Sequence, residues 1–333
     1  MTKLISWYVA KNKLNKETVQ AIISLVPAST ARKFELTTPS KKFEYAWKTF
    51  DIDLLSDILG EQMSQCITTY DVEDLTLLKF GYNNKAIQGS LPKAYNQHTF
   101  YKMSYISGNE VVGHESLNEC IANVLCQQFG FDYVSYNLHY AKTLVNKNEY
   151  VSFIVSAPDY ELDGEKCITL ENWLRTNTDL KSDDRYEVFQ ELQKAPVHVL
   201  ESIYHMCVID YVIINRDRHG ANIELLCTNN NLRLAPIFDC GSSFVAPLQN
   251  DVEKVKAFDP LKERPCNNYV GSPFLEEAIK YWGNRFPIRH IVWKPELIEV
   301  YRDYYPDPVY VDKINEIITK RLERLYAIRG NLT

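Results

Sequence analysis

Residues 197–214 are apolar nearly all round, with Val197, Val199, Leu200, Ile203, Met206, Cys207, Val208, Ile209, Val212, Ile213 and Ile214. A helix with no polar face belongs in the core of a large domain. Just downstream, two short apolar runs at 222–227 and 232–237 flank the polar stretch 228–231. That pattern predicts a β-hairpin with a longer loop. Upstream, residues 115–129 place Leu117, Cys120, Ile121, Val124, Leu125 and Phe129 on one helical stripe, and Gly130 follows as a stop. Glu119 points away from that stripe, toward either solvent or a partner from another element. Runs at 75–81, 98–106, 133–145 and 150–156 predict the strands of a small sheet around this helix. Further helices are predicted at 17–26, 54–64, 169–175, 185–194, 274–282 and 309–328.

Strands with one helix, then mostly helices, make an α+β chain of two lobes. The boundary is expected near Ala157 and Pro158, giving a β-rich lobe over 71–157 and a helical lobe over 158–333, with 159–166 as the crossover. Residues 1–70 form a segment of unassigned role, expected to pack on the small lobe. The length of 333 residues exceeds what one core usually serves.

Composition narrows the function classes. A formal net charge of −6 argues against sequence-independent nucleic-acid binding, which needs clustered Lys and Arg. The eight Cys never occur as Cys-x-x-Cys, and several sit in apolar runs, as small buried hydrophobes do in a reducing compartment. No apolar run approaches the roughly 20 residues of a membrane span. The N-terminus shows no secretory pattern. A cytoplasmic enzyme is therefore expected.

The chemistry is concentrated around the buried helix. Asp217 and Asn222 stand five apart in Asn215-Arg216-Asp217-Arg218-His219-Gly220-Ala221-Asn222, and Phe238-Asp239-Cys240-Gly241 follows. Phosphotransfer needs one carboxylate beside the acceptor hydroxyl and further oxygen donors to hold Mg²⁺ against nucleotide phosphates. Asp217 fits the first task, while Asn222 and Asp239 fit the second. Asp239 lies between apolar neighbours, where an uncompensated carboxylate would be costly. His219 is expected to brace the loop, and Arg218 to bind phosphate or pair with a carboxylate. Lys102 is a charged residue in mid-strand beside Phe100, Tyr101 and Met103, as expected of a lysine facing a phosphate site, with Glu119 its candidate partner. Gly89-Ser90-Leu91-Pro92-Lys93 would cover the phosphates.

These pieces together resemble the HipA-like serine/threonine kinases, a group that includes the shorter CtkA-type bacterial kinases. Gly89-Ser90-Leu91-Pro92-Lys93-Ala94 is similar to the family's phosphate loop, with Lys93 at its loop lysine. Lys102 stands at the nucleotide-binding strand lysine and Asn118-Glu119 at the family's Asn-Glu helix. Asp217-Arg218-His219-x-x-Asn222 matches its catalytic loop, and Phe238-Asp239 its metal-binding aspartate. The likeness spans roughly residues 75–245. It implies a two-lobed kinase fold, ATP with Mg²⁺, and transfer to a protein hydroxyl, the substrate itself being unspecified. The loop departs from the family in having Leu91 where a Gln or Arg is usual. Near the family's self-phosphorylated serine this chain has Ala86. The first 70 residues do not match the family's accessory domain, so an antitoxin-like partner is not implied. The same loop pattern also occurs in phosphoinositide kinases, which leaves a lipid or small-molecule hydroxyl open. An adaptor of the same fold without turnover is the remaining alternative.

Overall fold

The small lobe is organised by two tight hairpins. Strand β2 (Lys93–Asn96) turns into β3 (Thr99–Met103) through Gln97 and His98. Strand β6 (Asn137–Val145) turns into β7 (Asn148–Pro158) through Asn146 and Lys147. All four turn residues have positive φ, the two-residue geometry whose twist matches that of the paired strands. With β1 (Glu73–Asp74) these strands form a five-stranded sheet ordered β1-β6-β7-β3-β2. A short β4–β5 pair (Ile106–Ser107, Glu110–Val111) leads into helix α1, Glu115–Phe129. This computed structural model describes residues 72–82, 90–229, 231–248 and 251–330, and all of these except Val72 belong to one unit, Glu73–Thr333.

The large lobe is built around α4 (Val197–Ile213), which is buried through most of its length as its pattern predicts, although Val197 at its start is exposed. Around it lie α2 (Leu170–Asn177), α3 (Arg185–Leu192), α5 (Val252–Lys256), α6 (Leu275–Trp282) and the long α7 (Val309–Gly330). A 3₁₀ segment, Pro295–Tyr304, precedes α7. A second sheet, β10-β9-β8, joins Leu232–Leu234, Glu224–Cys227 and Lys166–Thr169. The architecture is thus α+β and two-lobed.

Several predicted elements change. The strand expected over 75–81 ends at Asp74, because the Asp74 carboxylate accepts the Thr76 amide at 3.0 Å and its hydroxyl at 2.7 Å, closing a turn. Phe80 and Gly81 contribute only isolated bridges. The strand expected from residue 133 starts at Asn137, with Tyr133 bridging Ile237 instead. The hairpin's first strand starts at Glu224, since Gly220–Asn222 winds into a 3₁₀ turn. Strand β8 lies inside the stretch expected to hold only a crossover and a helix, and Thr169 caps α2 by accepting the Asn172 amide at 3.3 Å. The helices expected at 17–26 and 54–64, and the packing expected of residues 1–70, lie outside the described residues.

Candidate functional site

Lys102 is the meeting point of three separate segments. Its ammonium donates to Oε1 of Glu119 on α1 at 2.6 Å and to Oδ1 of Asp239. Glu119 is fully buried, and its second oxygen accepts the Cys240 amide at 2.8 Å. The pairing of Glu119 with Lys102 expected from the sequence is therefore present, and the solvent-exposed alternative is not. The stripe periodicity reads only the helix, whereas the other face of α1 is covered by β3 and by the segment around Asp239.

The electrostatics follow from that arrangement. Burial raises the Asp239 carboxyl pKa, but Lys102 and then Lys93 overcome it and hold the group well below the usual range. Burial likewise disfavours charge on Lys102, yet Asp239 and Glu119 outweigh it and raise its pKa. Lys93 sits directly opposite Lys102 in the β2–β3 register. Burial and that neighbouring cation lower the Lys93 pKa. Like charges facing each other across a strand pair are unfavourable unless anions compensate them. Asp239 and Glu119 supply such anions. Tyr136, just before β6, adds a phenol to the same cluster, its pKa raised by burial and by Glu119.

Asp239 adopts a left-handed backbone with φ of 55°. A non-glycine residue in this region carries strain, typical of positions held by function. Gly241 explains the third position of the Asp-x-Gly segment. A Cβ there would lie 2.8 Å from Cβ of Glu115, so only glycine lets α1 pass this close. Asn118 of α1 donates from Nδ2 to the carbonyls of Gly241 at 2.9 Å and Ser243 at 3.3 Å.

The loop carrying Asp217 is tied to the same place by Arg218. This arginine is buried and forks onto Asp210 of α4, at 2.9 Å from Nε and 3.0 Å from Nη2. Its Nη1 donates to the carbonyls of Asn222 at 3.0 Å and of Phe238. One guanidinium thus joins the two segments that carry the predicted metal donors. Arg218 is committed within the fold and is not a phosphate contact. Asn215 supports the turn by donating to Asp210 at 2.8 Å and accepting the Asp217 amide at 3.2 Å.

Asn222 donates from Nδ2 to the Asp217 carbonyl at 2.8 Å, which leaves its side-chain oxygen for another partner. His219 Nδ1 accepts the Ala221 amide at 3.2 Å, the bracing contact expected of it, and its Nε2 lies 4.0 Å from Asp217 Oδ1. The Asp217 side chain remains 44% exposed. Its Oδ1 accepts a hydrogen bond from Asn267 Nδ2 at 2.9 Å. Asn267 and the segment beside it run along the loop through backbone bonds from Asn267 to Arg216 and Tyr269 to Arg218.

Lys102, Glu119, Asp239 and Lys93 therefore come together, and Arg218 links them to the Asp217–Asn222 loop. Ser90 is exposed just before β2. Gly89 lies outside the described residues. Sequence reasoning missed Asp210, Asn267, Tyr136, Tyr160 and Glu224. Asp210 had a signal, as the one carboxylate deep in an otherwise apolar stretch. Tyr160 follows β7, stacks on Phe238 with centroids 5.7 Å apart and donates to Glu224 of β9. Nothing local marked these, because each is brought in by a distant element. Among the described residues no group of three or more His, Cys, Asp and Glu forms a metal site alone, and no helix is long and apolar enough to cross a membrane.

No protein-family model and no curated protein matches the chain. Among solved structures it is similar to the proinflammatory kinase CtkA of Helicobacter pylori, with a TM-score of 0.50 and 14% identity over 78% of this chain and 97% of that one. HipA of Shewanella oneidensis MR-1, solved in a toxin–antitoxin complex with HipB and operator DNA, gives 0.42 and 14% over 81% and 72%. The Golgi casein kinase gives 0.41 and 12% over 83% and 76%. The CtkA match establishes a kinase-like fold for this chain. At that level the resemblance drawn from the motifs holds.

Proposed function

We propose that this chain is a Mg²⁺-ATP-dependent phosphotransferase that passes the γ-phosphate to a serine or threonine hydroxyl of a protein. The observation that carries this reading is the Lys102 junction. A strand lysine paired with a helix glutamate, beside an Asp-x-Gly aspartate, is the set that positions nucleotide phosphates and their metal in kinases. Lys93 opposite Lys102 adds a second cation on the same strand pair.

The donor set suits Mg²⁺. Asp239 and Asn222 offer hard oxygen atoms but too few to hold an ion alone, as expected where phosphate and water complete the shell. The bound ion would neutralise charge on the phosphates. The chain's own residues do the remaining work. Lys102 and Lys93 hold and orient phosphate oxygens, and Asp217 accepts the hydrogen bond of the incoming hydroxyl. As the new oxygen–phosphorus bond forms, the bond to the β-phosphate oxygen breaks, ADP departs, and the hydroxyl proton passes to the Asp217 carboxylate. Asn267 fixes one oxygen of that carboxylate and leaves the other for the acceptor. The exposure of Asp217 suits an acceptor on a large molecule.

The test is labelled-ATP transfer by the full chain to protein, lipid and small-molecule acceptors, beside nucleotide thermal shifts with and without Mg²⁺. Asp217→Asn should abolish transfer and preserve the Mg²⁺-dependent shift, whereas Asp239→Asn should lose the shift. Transfer at an unchanged rate by Asp217→Asn would overturn the role given to that residue. Label appearing only in lipid would overturn the acceptor class. Absence of any nucleotide shift would leave the chain an adaptor.

A further inference from the structure

A cavity of about 270 Å³ lies away from the Lys102 junction, where the end of β3, the start of α1 and strands β6 and β7 meet the segment leading to α7. Five aromatic rings line it: His114, Tyr140, Phe153, Tyr304 and Tyr305. They pack against one another, with Tyr140 and Phe153 centroids 4.9 Å apart, Phe153 and Tyr304 4.7 Å, and His114 and Tyr305 5.2 Å. Among the described residues, no Asp, Glu, Lys or Arg lines it. Ser152 on its wall is buried, and its hydroxyl has no hydrogen-bond partner among the described residues. Val151, about half exposed, lines it too.

These features define an occupant. Among the described residues a charged molecule would find no counter-charge, whereas a flat ring would meet aromatic faces or edges. A dry cavity of about 150 Å³ already admits benzene, so this one accommodates a two-ring compound. One hydrogen-bonding group on the ring would match the unsatisfied hydroxyl.

The cavity is also wired to the candidate site. Tyr305 on its wall donates to Asn118 Oδ1 at 2.8 Å, and Asn118 holds the carbonyls of Gly241 and Ser243. Ser104, also on the wall, lies two residues after Lys102 and accepts the Ser116 amide of α1 at 3.0 Å. The wall is thus shared with both elements that hold Lys102 and Glu119 in contact. We propose that this cavity is a regulatory site for a small neutral aromatic molecule bearing one hydrogen-bonding group, which steadies α1 against the segment carrying Asp239.

Indole is the probe, added to the full chain without nucleotide up to its solubility limit. Ligand-detected NMR and thermal denaturation report binding, and hydrogen exchange of peptides covering 238–244 reports coupling. The expected result is a dose-dependent rise in Tm and slowing of that exchange by roughly fivefold or more, the low end of allosteric coupling. Val151→Trp at the rim and Ser152→Leu on the wall should each remove both effects. Neither residue touches the candidate catalytic groups, and the half-exposed Val151 position tolerates a larger side chain. No binding to the wild-type chain overturns the proposal. So does binding that persists in Val151→Trp, or binding that leaves exchange at 238–244 unchanged. None of these readouts needs ATP, so their failure is distinct from failure of the phosphotransfer reading.

Discussion

Arg218 and Asp210 form a two-pronged ion pair in the interior of the large lobe, eight residues apart across the end of α4. The pair is reached because the chain leaves α4 through Ile214 in the left-handed region, with the Asn215 amide returning to the Asp210 carbonyl at 2.9 Å. Removing one partner strands a buried charge. Asp210→Ala should therefore destabilise the fold by about 3–5 kcal/mol, measured by urea unfolding. A loss below about 1 kcal/mol, the value typical of a surface pair, would contradict the buried geometry.

Gly241 allows α1 to sit against the segment after Asp239. Gly241→Ala places a methyl 2.8 Å from Glu115 Cβ, and overpacking of this kind costs about 1–3 kcal/mol. The expected readout is a lowered Tm together with weaker Mg²⁺-ATP binding, because α1 carries Glu119. An unchanged nucleotide affinity would show that the helix position does not matter to the site.

Asn267 presents Asp217 in one orientation. Asn267→Ala should lower kcat while leaving KM for ATP near its original value. Asn267→Asp should be worse, since it sets a like charge within hydrogen-bonding distance of the base. Measured kcat and KM for both variants decide it, and a wild-type kcat in Asn267→Ala would rule out an orienting role.

The Lys102 junction sets a pH dependence. The depressed Asp239 pKa contributes stability above the ordinary carboxylate range, lost as pH falls through the folded value. The raised Lys102 pKa contributes below its ordinary value of 10.5, lost as pH rises through the folded value. Between about pH 5 and 10 the contribution is flat. Lys102→Met weakens the acid side. Asp239 then keeps only Lys93 and Arg218 as nearby cations against the cost of burial, its carboxyl pKa rises relative to the wild-type chain, and the variant's loss of stability against wild type should grow as pH climbs from 4 to 7. Unfolding free energies across that range check the sign.

Much of the candidate site was legible in the chain. Asp217, Asn222 and Asp239 announced themselves by spacing and by the apolar runs around them, and Lys102 by its charge in mid-strand. The buried helix before the loop was legible too, because periodicity and capping are local properties. The strand expected over 75–81 failed for a local reason that propensity does not weigh, the turn closed by the Asp74 side chain.

What the sequence alone determined is which short stretches bury their side chains and which carry oxygen and nitrogen donors at set intervals. Only the tertiary structure decided that Glu119 is buried, that Arg218 serves the fold, and that Asn267 reaches Asp217 from fifty residues downstream. Periodicity reports the environment of one element at a time. A side chain's partner is set by whichever distant backbone packs over it, and burial then makes that partner obligatory, because a charge removed from water must be matched.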